Sequence, residues 1–348
     1  MHPDVIGRLR AAVGAGAVLT EPAALRAYEC DGLTGHRAVP AAVVLPLTTE
    51  ETAAAVRILH GAGIPYVASI PAAPWEECHY GYMTGRRGLY RIPQTAVYAR
   101  RILYVDRGLR YADAVAVQRS TAVTMLRHAP WIRSRLFFWE MGMDAGSFPA
   151  EGARDDGFIL YVGRLEHSKG VDTLLQAVAG LPDRVVVAGT GSQAAALKAM
   201  ATPNVEFLGE VPEDHLRELY RTASMAVFPS RFEGFGLVAL EALSSGTPTA
   251  VTSGYGFRLI PPASDWVEWF APGDAVGCRA AIERLRGRKT PAWSRAAHEM
   301  VATHHHHRDR VRELVQLYES LVAGQGVPPS PPIYKPGALH APPHGRAA

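Results

Sequence analysis

Between residues 158 and 252 short, largely apolar runs alternate with amphipathic stretches. Ile159-Leu160-Tyr161-Val162, Val185-Val186-Val187-Ala188, Val205-Glu206-Phe207, Met225-Ala226-Val227-Phe228 and Thr249-Ala250-Val251 read as strands. Helical periodicity fills the gaps over 171–178, 193–200, 213–222 and 237–243, with Gly246 as the last stop. Strands that are apolar at every position are covered on both faces, which calls for a parallel sheet with helices above and below. Crossovers in such sheets are right-handed, and ligands bind beyond the carboxyl ends of the strands.

The remaining chain is less regular. Val43-Val44-Leu45 is a short apolar run ended by Pro46. Thr48-Thr49-Glu50-Glu51 opens a helix, with Gly61 or Gly63 as its stop, and Pro65-Tyr66-Val67-Ala68 follows as a strand. Ala112 to Val117 reads as a buried strand, and Gly142 to Gly157 as a linker. A last helix is expected from Arg308 to Val322, before a Pro-rich tail. The expected organisation is an N-terminal fragment (1–68), a partial domain with linker (69–150), a ligand-binding domain (151–323) and a disordered tail (324–348).

Composition removes several classes of function. Lys and Arg total 36 against 33 for Asp and Glu, too even a balance for a nucleic-acid surface. No run of about 18 apolar residues lacks charge, and His2 and Asp4 interrupt any signal core, so a cytoplasmic protein is expected. Cys30, Cys78 and Cys278 are odd in number and far apart, as in reduced thiols. No CxxC or HExxH pair supports a zinc site.

Three constellations follow strands. Gly163-Arg164-Leu165-Glu166-His167-Ser168-Lys169-Gly170 puts two cations five residues apart before a helix. An arginine fork and a lysine point charge suit a diphosphate, and the helix start adds free N–H groups. Alternatively the loop is solvated and its charges incidental. Glu233-Gly234-Phe235-Gly236 precedes a helix bearing Glu241, about two turns on. Paired carboxylates suit vicinal hydroxyls, and glycines admit a ligand to the backbone. The plainer alternative makes Glu233 a helix cap and Glu241 a surface residue. Leu240, Ala242 and Leu243 flank Glu241, and a buried charge there requires a partner. Gly189-Thr190-Gly191 reads first as a tight turn and second as a contact to a nucleotide base.

Together, YVGRLEHSKGVDTLLQA, VAGTG, VEFLGEV and LYRTASMAVFPSRFEGFGLVALEALSSGTP resemble the donor-binding domain of family-4 retaining glycosyltransferases. That resemblance implies a GT-B fold, α/β, with a doubly wound Rossmann-like donor domain and a truncated or composite N-terminal domain. It implies transfer of a hexosyl unit from a nucleotide-diphosphate sugar to a carbohydrate or other small acceptor, with no metal and no cofactor. It matches Arg164 and Lys169 to the diphosphate, Glu233 to the sugar hydroxyls and Glu241 to the ribose. It places Gly163, Gly234, Phe235, Gly236 and Leu237 on the donor, and Gly189, Val205, Phe207 and Leu208 near the base. Arg164, Lys169 and Glu233 are the expected catalytic set.

Upstream, residues 111–121 and 142–144 resemble the end of that family's acceptor domain and its linker. Residues 4–68, through the stretch VLTEPAALRAYECDGLTGHRAVPAAVVLPLTTEETAAAVRILHGAGIPYVA, instead resemble the start of a flavin-linked oxidase of the glycolate oxidase type. Ser69-Ile70-Pro71-Ala72-Ala73-Pro74 stands where that family has a glycine-rich loop, so no flavin is expected. His79 is a candidate for the donor sugar, or a surface or core histidine. His304 to His307 either bind metal adventitiously or simply precede the last helix. Trp75, Tyr80, Tyr82, Tyr90 and Tyr98 suit stacking on an acceptor or core packing. Arg86, Arg87, Arg100 and Arg101 suit an anionic acceptor, a membrane surface or plain solvation.

Overall fold

The computed structural model describes residues 2–25, 40–70, 109–254 and 263–329. The chain opens with α1 (Pro3–Val13), β1 (Val18–Leu19), α2 (Pro22–Leu25), β2 (Val43–Val44) and α3 (Thr49–Gly61). Val5, Leu9 and Val13 of α1 pack with Val18 and Ala55 in a small core of their own. The start of α3 follows from its cap. The Thr48 hydroxyl accepts from the Glu51 N–H at 3.1 Å, and the Glu51 carboxylate accepts from the Leu47 N–H at 2.7 Å. Gly63, at φ +72°, closes it in the left-handed region.

A three-stranded parallel sheet follows, in the order β3 (Val67–Ile70), β4 (Ala114–Val117), β5 (Leu136–Phe138), with α4 (Arg119–His128) between β4 and β5. Both β3 and β4 begin two residues later than the apolar runs suggest. The Tyr66 N–H donates to the Asp113 carboxylate at 2.7 Å, and the Ala112 N–H closes a turn onto Leu109 O at 3.2 Å, so neither N–H joins the ladder. No side chain of α4's own N-cap closes that helix. Glu140, just beyond β5, does so instead, accepting from the Arg119 N–H at 2.9 Å and its guanidinium at 3.1 Å. Burial pushes the Glu140 carboxyl up although Arg119 pulls it down.

The main sheet has six strands: β6 (Phe158–Val162), β7 (Arg184–Ala188), β8 (Val205–Gly209), β9 (Met225–Phe228), β10 (Thr249–Thr252) and β11 (Val267–Phe270). Every pairing is parallel, and β9 and β10 are buried at every position, as continuous apolar runs require. Helices α5 (Val171–Val178), α6 (Ala194–Met200), α7 (Glu213–Thr222), α8 (Leu237–Ser244), α9 (Ala275–Leu285), α10 (Pro291–His304) and α11 (His307–Val322) complete the described chain. The strand order is β11-β10-β9-β6-β7-β8. Counted from β6 this is the doubly wound order 3-2-1-4-5-6, whose winding reverses between β6 and β9. β6 pairs with β7 from Phe158 to Val162, but with β9 through Ile159↔Met225 and Leu160↔Ala226. Beyond Leu160 and Ala226 the two strands part, and that opening is where such a sheet receives a ligand.

The expected linker over 142–157 is in part core. Met143 and Ala145 are buried with the main sheet, and the Ser244 hydroxyl donates to Phe148 O at 2.8 Å. A Cβ on Gly142 would lie 2.8 Å from His307 Cα, so only glycine lets this strand of chain approach the α10–α11 turn. The Met143 N–H donates to His305 O at 2.9 Å and the His307 N–H to Met143 O at 3.1 Å. The histidine run therefore does more than precede a helix, since His305 and His307 are buried in this junction. From there α11 crosses to the smaller sheet, where Leu317 packs with Ala114 and Phe137.

Candidate functional site

The two loops at the strand opening carry the residues singled out in the sequence. Gly163 to Gly170 links β6 to α5, and Pro229 to Gly236 links β9 to α8. Both helices begin on a left-handed glycine, Gly170 at φ +64° and Gly236 at φ +99°, and neither has a side-chain cap. By contrast Asp274 caps α9 and Thr290 caps α10. Uncapped first-turn N–H groups carry the positive end of the helix dipole into the opening. Glu233 is thus not a helix cap. A Cβ on Gly170 would lie 2.2 Å from Pro229 O, which shows how tightly the loops meet.

Lys169 and Glu233 form an ion pair across that meeting point, with side-chain exposures of 19% and 18%. Arg164 is exposed at the rim and makes no salt bridge among the described residues. Tyr161 lies beneath, its hydroxyl donating to Arg164 O at 3.0 Å. Burial and then the Glu233 charge push this phenol far up, against the pull of Arg164, so it remains protonated. Both charges therefore act on one buried hydroxyl at the base of the loop.

Glu241 lies just over one turn inside α8, because the helix begins at Leu237 rather than at Glu233. The partner that its apolar surroundings demand is Tyr220 of α7, whose hydroxyl donates to Glu241 Oε2 at 2.9 Å. Burial raises the Glu241 carboxyl and this bond moderates the rise. Phe235 is buried in the main core, and Leu237 is half-buried at the helix start.

Gly189 and Gly191 serve a close backbone contact. A Cβ on Gly189 would meet Gly163 O at 2.0 Å, and one on Gly191 would meet Leu165 O at 2.5 Å. The Leu165 N–H donates to Thr190 O at 2.8 Å. The glycines at 189 and 191 are required by this approach of the β6–α5 loop. Glu166 adds a second tie, accepting from the Ser192 N–H at 3.0 Å and its hydroxyl at 2.6 Å; these bonds hold its carboxyl below the usual range. On β8, Val205 stands at the amino end, away from the opening, while Leu208 and Gly209 reach the carboxyl end. Phe207 is half-buried under Lys198, 5.9 Å from its ring centre.

Tyr220 and Glu166 join the site through hydrogen bonds that no local sequence pattern marks. His79, the upstream aromatic and arginine sets, Cys30 and Cys78 lie outside the described residues; Cys278 is buried and unbridged. Among the described residues no three His, Cys, Asp or Glu stand where they could hold a metal, and no helix is long and apolar enough to cross a membrane.

Residues 147–274 match the family described as glycosyl transferases group 1. An uncharacterized glycosyltransferase of Methanocaldococcus jannaschii is 29% identical over 215 residues, 58% of this chain and 55% of that protein. A glycogen synthase of Mycobacterium tuberculosis is 34% identical over 173 residues, 44% of this chain and 41% of its own length. The chain spans about half the length of the curated relatives it matches. Sucrose-phosphate synthase from Thermosynechococcus elongatus superposes with a TM-score of 0.61 at 21% identity, covering 78% of this chain and 72% of that one. HepE of Anabaena, solved with UDP and glucose, gives 0.59 at 15% identity, covering 78% and 76%. The fold is GT-B, with a Rossmann-like parallel sheet.

Proposed function

We propose that this chain is a glycosyltransferase that moves a hexosyl unit from a nucleotide-diphosphate sugar to a carbohydrate or other small acceptor, with retention of anomeric configuration. The observation that carries the reading is the meeting of Lys169 and Glu233 at the β6–β9 opening, between two uncapped helix starts. The glycosyl transferases group 1 match over 147–274 supports it, as does the likeness to HepE, which has been solved in complex with UDP-glucose. We assign donor binding to residues 151–323.

Departure of a nucleoside diphosphate builds negative charge on the leaving oxygen. Lys169, Arg164 and the N–H groups of α5 and α8 face that charge in this reading, and preorganised electrostatics is usually the largest catalytic contribution. Glu233 accepts from sugar hydroxyls, and Glu241, steadied by Tyr220, accepts from the ribose. Because the Tyr220 bond engages Oε2, Oε1 is the oxygen assigned to the nucleotide.

Calorimetry of the full chain against UDP-, GDP- and ADP-sugars, repeated with Lys169→Ala, tests this. One donor class is expected to bind and the variant to lose it. Binding without hydrolysis or transfer would make the chain a nucleotide-sugar binder rather than an enzyme. No binding to any donor would end the reading.

A further inference from the structure

The β-ladder does not hold the two site loops together, since β6 and β9 stop pairing at Leu160 and Ala226. Arg231 does. Its backbone N–H donates to Ser168 O at 2.8 Å, and its guanidinium donates to His167 O at 2.8 Å. The same guanidinium grips the Asp172 carboxylate in a fork, Nη1 to Oδ1 at 2.9 Å and Nη2 to Oδ2 at 2.6 Å. Three hydrogen bonds thus use both terminal nitrogens on the opposite loop and on the first turn of α5. Ser168 and His167 immediately precede Lys169, and Arg231 lies two residues before Glu233.

We propose that Arg231 is a positioning residue that joins the β6–α5 and β9–α8 loops into one unit, so that Lys169 and Glu233 address the same ligand. The inference rests on the glycosyltransferase reading for its effect on catalysis, but not for its effect on the loops. A planar fork is required. A lysine at 231 could meet Asp172 or His167 O, but as a point charge it lacks the rigid pair of donors. Burial pushes the Asp172 carboxyl up, yet Arg231 outweighs burial and holds it below the usual range, so the fork stays charged at neutral pH. Misalignment of two groups by about 1 Å is enough to cost about a hundredfold in rate.

Two readouts on the full chain test this, with Arg231→Ala and Arg231→Lys. The first is amide hydrogen exchange without ligand. Arg231→Ala is expected to speed exchange about tenfold in residues 163–170 and 229–236 while β7 keeps its protection. Unchanged loops, or an equal rise in β7, would overturn the proposal. The second is kinetic. Arg231→Ala is expected to lower kcat about a hundredfold with a smaller rise in KM, and Arg231→Lys to recover part of kcat. Equal kinetics in all three proteins would also overturn it. If the parent protein binds no nucleotide sugar, the proposed function fails while the exchange result still decides the role of Arg231. If Arg231→Ala does not fold, Arg231→Lys supplies both readouts.

Discussion

Before a ligand arrives, the principal cation of the site is already paired with the site's own carboxylate, and Glu233→Gln tests what that pairing does. Two unit charges about 4 Å apart attract by ~4 kcal/mol at an effective dielectric near 20. Side-chain exposures of 19% and 18% leave the pair in partial contact with water, so much of that attraction is screened. A surviving coupling of ~1.4 kcal/mol corresponds to a factor of about ten in an equilibrium constant. A diphosphate competes with Glu233 for the Lys169 ammonium and is also repelled by the carboxylate. Glu233→Gln therefore tightens binding of a free nucleoside diphosphate by about tenfold at low salt, less at high salt. Turnover of the full nucleotide sugar falls by about a hundredfold, because the hydroxyl acceptor is weakened. Calorimetry with UDP, GDP and ADP at two ionic strengths, beside a transfer assay, reads both effects. Unchanged or weaker nucleoside diphosphate binding in Glu233→Gln would refute the competition.

Other changes give equally definite outcomes. Gly170→Ala places a Cβ 2.2 Å from Pro229 O at φ +64°, so a loss of about 2 kcal/mol or more is expected in urea unfolding, with loss of nucleotide binding. Glu140→Ala removes the carboxylate that accepts from the buried Arg119 and caps α4; a fall of about 3 kcal/mol is expected by denaturation. His305 is held neutral by burial, its value lowered from 6.5 to about 3. The unfolded chain takes up that proton first, so stability falls by about 1.4 kcal/mol per pH unit below about 6.5. Urea midpoints at pH 7, 6 and 5 should converge for His305→Gln relative to the parent. Glu241 has the opposite sign: its raised folded value means that the folded state holds the proton longer, so stability falls as pH rises above 4.5. Glu241→Gln removes that slope in the same titration and weakens nucleotide binding.

The half of the fold built on the six-stranded sheet was readable because its signals are local. Helices over 171–178 and 213–222 and the strand over 225–228 form over the residues their periodicity marks. Lys169, Glu233 and Glu241 were readable because each charge stands where a strand has just ended or where an apolar helix cannot hold it unpaired. Arg231 was not, because a lone arginine in a loop has no period, and Asp172 lies 59 residues away. Gly142 and the buried histidines were misjudged for a related reason. Their roles are contacts between distant segments, and a glycine looks the same in a free linker as in a tight crossing. Helices α9 and α10 did carry readable caps, Asp274 and Thr290-Pro291, which went unassigned.

The return of α11 has a consequence for engineering. The smaller sheet is completed by α11, the last helix among the described residues, through Leu317 against Ala114 and Phe137 and through the Trp139 indole donating to Arg310 O at 2.8 Å. A chimaera that exchanges the segment bearing the smaller sheet at a single cut near residue 150 would graft one partner and leave the other behind. Modular exchange in this protein needs two junctions, with residues 307–322 travelling alongside the N-terminal segment.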